Sequence, residues 1–183
     1  VLSPLGINLL TPVDLGLTAA DETASTFIEN ALIKAREVAQ HTDVPVLADD
    51  SGLQVFALAG APGVRSARYA GEPASCERNI QKLLSTLALL PANTDRSAIF
   101  YSAMVLLRGP LDPCPVCFEG RWLGAISHEA EGAAGFGYDP VFYDPVLGKT
   151  AALMTLEEKN RVSHRGQTLR QLKAFCSAQT ALE

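Results

Sequence analysis

A helix with a marked beginning, followed at once by an apolar strand that runs into acid, constrains this chain most tightly. Thr26-Phe27-Ile28-Glu29 has the spacing of a capping box, in which hydroxyl and carboxylate each accept from the other residue's free amide. The expected helix runs from about Phe27 to about Gln40, with Phe27, Ala31, Ala35 and Val38 as an apolar stripe at helical spacing. Asn30 and Lys34, four apart, share a different, polar face, read here as free for a ligand. Val44 to Ala48 then reads as a short buried strand with Asp49-Asp50-Ser51-Gly52 at its carboxyl end.

The rest of the chain continues the alternation. Leu53 to Leu58 is a second apolar segment, closed by the turn Gly60-Ala61-Pro62-Gly63. Ser75 is placed to cap a helix that reaches about Leu87, with Ile80, Leu83, Leu84 and Leu87 inward. Ala98 to Leu107 and Cys117 to Ile126 read as long strands of a hairpin or meander, and Val141-Phe142-Tyr143 as a further short strand. Thr155-Leu156-Glu157-Glu158 repeats the capping box, and Ser163 starts a last helix with Leu169, Leu172 and Phe175 inward. Interleaved strands and helices make the class α/β, and the hairpin in the middle makes the expected sheet mixed. At 183 residues, one domain over 1–183 is expected.

Composition narrows the partners. A formal net charge of −5 excludes a broad electrostatic grip on nucleic acid, which needs many clustered cations, but leaves room for a small phosphorylated ligand. No apolar run reaches the length of a membrane span and no signal-peptide pattern opens the sequence, so no membrane partner and a cytoplasmic location are the default expectation. The four cysteines are expected as free thiols; Cys114-Pro115-Val116-Cys117 has CxxC spacing, which zinc or redox chemistry would use, but zinc wants four ligands and no second pair exists. A plain loop before the strand near Phe118 is the other reading.

Three constellations can carry chemistry. Asp49 and Asp50 at a strand end, with Glu22 before the first helix as a third carboxylate, suit a hard cation such as magnesium; an Asp-Asp turn with a capping role, and a solvated Glu22, are the plain alternatives. Gly135-Phe136-Gly137-Tyr138-Asp139-Pro140 offers glycines for close approach and two rings for stacking on a purine, or else is a tight turn with core aromatics. Lys159 with Ser163-His164-Arg165-Gly166 gathers cations and helix ends that favour phosphate or a polarised purine carbonyl, against the reading of a solvated basic face. Gly148-Lys149-Thr150 is not a P-loop, because the earlier glycine would fall at Tyr143.

Taken together and in order, these elements resemble the inosine triphosphate pyrophosphatase family. Glu22 precedes Thr26-Phe27-Ile28-Glu29-Asn30-Ala31 and Lys34-Ala35; then come Ala48-Asp49-Asp50-Ser51-Gly52-Leu53, Gly60-Ala61-Pro62-Gly63-Val64, Ser66-Ala67-Arg68-Tyr69-Ala70-Gly71, Gly135 to Pro140 and Ser163-His164-Arg165-Gly166. The match runs from about Asp14 to about Phe175. The resemblance implies an elongated mixed sheet flanked by helices in two lobes with a central cleft, and a homodimer. It implies a magnesium-dependent hydrolase that splits ITP, dITP or XTP between the α and β phosphates, cleansing the nucleotide pool. On that reading Asp50 is the general base, Glu22 and Asp50 hold Mg2+, and Lys34 sits near the phosphates while Ser51 touches the substrate. Phe136, Gly137, Tyr138 and Asp139 would form the base-binding segment, with Lys159, His164 and Arg165 reading the ring.

The family pattern opens with a first strand and a Thr/Ser-x-x-Asn-x-x-Lys phosphate loop, and Val1 matches the helix after it. The expectation is a chain without that segment, with an exposed sheet edge and weaker phosphate affinity. Ala24 stands where many relatives place glycine, a change expected to be tolerated. Two other functions fit the residues: a purine nucleotide-binding protein without catalysis, and a related pyrophosphatase for modified pyrimidine nucleotides.

Overall fold

The computed structural model describes residues 7–18 and 20–180. The reading of Val1 and its neighbours as helix falls outside them. The fold is α/β: helices α1 (Phe27–Ala39), α2 (Cys76–Ala88), α3 (Leu156–Val162) and α4 (His164–Thr180), and strands β1 (Val46–Val55), β2 (Ser97–Leu107), β3 (Val116–Ile126), β4 (Phe142–Asp144) and β5 (Lys149–Thr150). The strands lie in one sheet in chain order, and β4 pairs antiparallel with both β3 and β5. Among the described residues no helix is long and apolar enough to cross a membrane. Contacts gather the described residues into two compact units, one drawn from 7–50, 102–120 and 165–180, the other from 51–101 and 121–164.

In the first unit the capping box forms as its spacing predicts. Thr26 Oγ1 accepts from the Glu29 amide at 3.2 Å, and Glu29 Oε2 accepts from the Thr26 amide at 3.2 Å. The helix start is thereby fixed, and with it the rotational position of every later side chain. Ala31, Ala35 and Ala39 turn into a core with Val46, Val105 and Leu107. A second cluster joins Met104, Phe118 and Leu172, with Leu169 and Phe175 packed against it.

One strand differs from its expectation. β1 does not stop at Ala48 but runs unbroken from Val46 to Val55, through both aspartates. The acids therefore lie in mid-strand, where successive side chains point to opposite faces. Asp50 is buried and Asp49 is not. They are not a like-charged pair relieved by one cation; each finds its own.

In the second unit the core is built on Leu53, Val55, Leu83, Phe100, Trp122 and Phe142, among others. Phe142 packs 4.4 Å from Phe100 and 4.8 Å from Trp122, ring centre to ring centre, and the indole N–H donates to Asp144 Oδ2 at 2.8 Å. Ser75 caps α2 by accepting from the Arg78 amide at 3.3 Å. Tight packing here makes one glycine obligatory. A Cβ on Gly124 would lie 2.5 Å from the Tyr143 carbonyl oxygen and 2.6 Å from Phe142 Cζ, so β3 and β4 would have to part. Gly124→Ala is expected to cost about 1–3 kcal/mol, the usual range for overpacking, and to lower Tm by several degrees in calorimetry. An unchanged Tm would mean that β4 yields freely.

Candidate active site

Within the first unit, three elements converge on Asp50. The cap at Thr26 sets α1 so that Asn30 and Lys34, one turn apart, both face β1. Lys34 Nζ donates to Asp50 Oδ1 at 3.1 Å and to Glu22 Oε1 at 3.0 Å, so two carboxylates share a single ammonium. Asn30 Nδ2 donates to Asp50 Oδ2 at 3.3 Å. The polar face of α1 is thus not open as expected: Asn30 is 1% exposed and committed to hydrogen bonds. Its geometry was hidden in the sequence because helical spacing shows which residues share a face, not what covers it.

The electrostatics of this cluster are set by burial and by the shared ammonium. Burial pushes the Asp50 carboxyl above the usual aspartate range, although the Lys34 ammonium and the Asn30 amide work against it and Glu22 adds to it. For Lys34, burial acts to lower the pKa, but the hydrogen bonds and charges of Glu22 and Asp50 outweigh it and hold the ammonium above its ordinary value. Asp49, on the other face of β1, accepts from Arg165 Nη2 at 3.0 Å. Arg165 opens into α4 directly after His164, so the expected ring-reading arginine is engaged by the aspartate next to the expected base.

Two carboxylate oxygens that already reach one cation form a donor set that fits a hard divalent ion. Such ions commonly take one or two protein carboxylates and complete their shell with water and phosphate oxygens. Among the described residues no group of three or more His, Cys, Asp or Glu side chains is arranged to hold a metal. Cys114 and Cys117 are both exposed thiols; the loop before them is organised by Asp112, which accepts from Arg108 and Cys114 amides at 3.0 and 2.9 Å.

The second unit carries the other expected residues. Gly135 and Gly137 both have left-handed backbones, with φ of 85° and 60°. A Cβ on Gly135 would fall 2.1 Å from Asp139 Oδ2, so this glycine is required by the chain's own carboxylate rather than by a ligand. Asp139, buried, accepts from the Phe136 amide at 2.7 Å and from Lys159 Nζ. Lys159 in turn lies 4.8 Å from the centre of the Phe136 ring, which is 57% exposed. An exposed ring beside a held ammonium presents a stacking face next to a positive charge.

Tyr138 differs from its neighbours. Its ring belongs to the core, its hydroxyl donates to the Ser66 carbonyl at 2.9 Å, and burial raises its pKa. His164 is 5% exposed and stacks on Phe100 at 4.9 Å with 13° between the planes. Phe100 was not singled out in the sequence; nothing in a run of strand residues marks one ring as the backing of a distant histidine. Ser51 lies in β1, half-buried. Lys149, excluded as a P-loop lysine, is paired with Glu158 at 2.8 Å.

An α/β chain with a buried, cation-paired aspartate and a glycine-turned aromatic segment defines a small-ligand enzyme scaffold. The sequence profile of the Ham1 family matches residues 2–175, and the chain belongs to that family. It is 53% identical to the dITP/XTP pyrophosphatase of Yersinia pseudotuberculosis over 170 residues, covering 93% of this chain and 86% of that protein. It is 55% identical to the dITP/XTP pyrophosphatase of Nitrosomonas europaea over 177 residues, or 97% and 86% of the two chains. A solved HAM1 protein of Coxiella burnetii superposes with a TM-score of 0.87 at 46% identity, over 91% of this chain and 84% of that one.

Proposed function

We infer that the protein hydrolyses non-standard purine nucleoside triphosphates, ITP, dITP and XTP, to the monophosphate and pyrophosphate, and so cleanses the nucleotide pool. The observation that carries the reading is the convergence of Glu22 and Asp50 on one cation, with Asp50 buried and its pKa raised. The relatives named for this activity are similar over nearly the whole chain.

In this reading Asp50 accepts the proton of the attacking water, whose oxygen bonds to the α-phosphorus as the bond to the bridging oxygen breaks and pyrophosphate leaves. A carboxylate pushed upward by burial is a better base than an exposed one. Glu22 and Asp50 would hold a divalent ion, for which we propose Mg2+; when bound it supplies charge for the developing negative oxygens. Lys34 contributes positive charge for the phosphates, and Ser51 contacts the substrate. Phe136 and the turn through Gly137, Tyr138 and Asp139 bind the base, with Lys159, His164 and Arg165 reading it. Donors that face a 6-oxo oxygen would be left unpaired by adenine's amino group, which also donates. A cytoplasmic homodimer is part of the same proposal.

Pyrophosphate release from ITP, XTP, dITP and ATP with magnesium tests it. Turnover of the first three well above ATP is expected; equal or preferred turnover of ATP would remove the purine reading.

A pH prediction follows from the Lys34 pair. The base must be ionised, so activity falls as pH drops through the Asp50 pKa. Lys34 opposes the upward shift, and removing it raises the Asp50 pKa further. Lys34→Gln is therefore expected to move the acid limb of the kcat profile to higher pH, besides raising KM. An acid limb that stays in place or moves down would uncouple Lys34 from the base.

A further inference from the structure

We propose that Asn30 is a positioning residue for Asp50, a clamp that fixes the carboxylate and ties to it the segment carrying Glu22; the proposal rests on the reading of Asp50 as the base. Asn30 is almost wholly buried, where an unsatisfied amide would be costly. It is satisfied from two sides. The backbone N–H of Ala24, which can only donate, meets Asn30 Oδ1 at 2.9 Å. That contact decides the amide's orientation, so Nδ2 must point the other way, where it donates to Asp50 Oδ2 at 3.3 Å.

Lys34 takes the other oxygen of Asp50. Each carboxylate oxygen thus has its own donor, and the group cannot rotate about its Cβ–Cγ bond without losing one. Ala24 lies two residues beyond Glu22, so the amide that orients the first carboxylate also anchors the short segment bearing the second. Lys34 bridges the same two carboxylates, but as a long, flexible cation; the buried amide is the rigid link.

The test uses Asn30→Leu, which keeps the approximate volume and removes both contacts, and Asn30→Asp, which keeps the acceptor for Ala24 and removes the donor to Asp50. Both are expected to lower kcat for ITP by about 10- to 100-fold, the range for losing one hydrogen bond to a charged group, with KM changed by less than about threefold. A second readout needs neither substrate nor metal. In denaturant unfolding of the ligand-free chain, the effects of Asn30→Leu and Asp50→Ala on the unfolding constant are expected to miss multiplicativity by about tenfold, because the two side chains share one bond. A variant that unfolds more easily yet turns over at the parent's kcat, a rise in KM alone, or strictly multiplicative unfolding constants would each overturn the clamp. Parent chain and Asp50→Asn are assayed alongside: a parent without pyrophosphate release removes the functional reading itself, whereas an active parent with an equally active Asn30→Leu removes only the clamp.

Discussion

Asp50→Asn is expected to lower pyrophosphate release from ITP by about 10²- to 10⁴-fold, the usual contribution of a positioned general base, while the chain still folds. The substitution keeps the size of the side chain and one acceptor for the two donors Asn30 and Lys34, and it removes the second acceptor, the charge and the basicity. Fold retention follows from the same pKa argument. Burial raises the Asp50 pKa above its unfolded value, so folding favours the protonated form and the ionised form costs stability. The parent's stability relative to the variant should therefore decline as pH rises through the folded-state pKa. Parallel assays of turnover and of Tm across pH check both statements. A variant that retains more than about a tenth of parental kcat would deny Asp50 the role of base.

Asp139→Ala should have the largest effect on the second unit. Asp139 is buried, holds Lys159, accepts from the Phe136 amide and occupies the space that only glycine at 135 leaves open. Its removal leaves Lys159 without that carboxylate and releases the turn at one stroke. Breaking a buried pair from one side costs about 3–5 kcal/mol, which in a chain of this size lowers Tm by about 10 °C. Phe136 and Lys159 would lose their fixed relation, so KM for ITP is expected to rise more than kcat falls. Differential scanning calorimetry and steady-state kinetics on the same preparation read both effects. A stable variant with parental KM would mean that the turn holds without its carboxylate.

How far these features could be read from the sequence depended on whether their cause was local. The capping boxes at Thr26 and Thr155 and the cap at Ser75 stand where their spacing predicts, because a cap is decided within four residues. The long strands β2 and β3 were legible from their apolar runs. β1 was cut short, because two adjacent acids look like a strand end; they remain in the strand since Asp50 finds its ammonium and amide on α1, 16 and 20 residues earlier in the chain. The same distance hid Asn30, whose helical phase was right but whose face was thought open. Gly135 reads from the sequence as a glycine for close approach to a flat ligand or for a tight turn, and the group that approaches it is the chain's own Asp139. The Arg165 pairing with Asp49 spans 116 residues and leaves no local trace.

The identity of the products tests the central claim most directly. The protein would be incubated with ITP and magnesium and the reaction followed by phosphorus NMR. The account predicts that inosine monophosphate and pyrophosphate appear in equal amounts from the first turnover, with no orthophosphate. Orthophosphate with inosine diphosphate would place the cleavage at the wrong bond, and unchanged ITP at millimolar magnesium would contradict catalysis by the Glu22–Lys34–Asp50 cluster altogether.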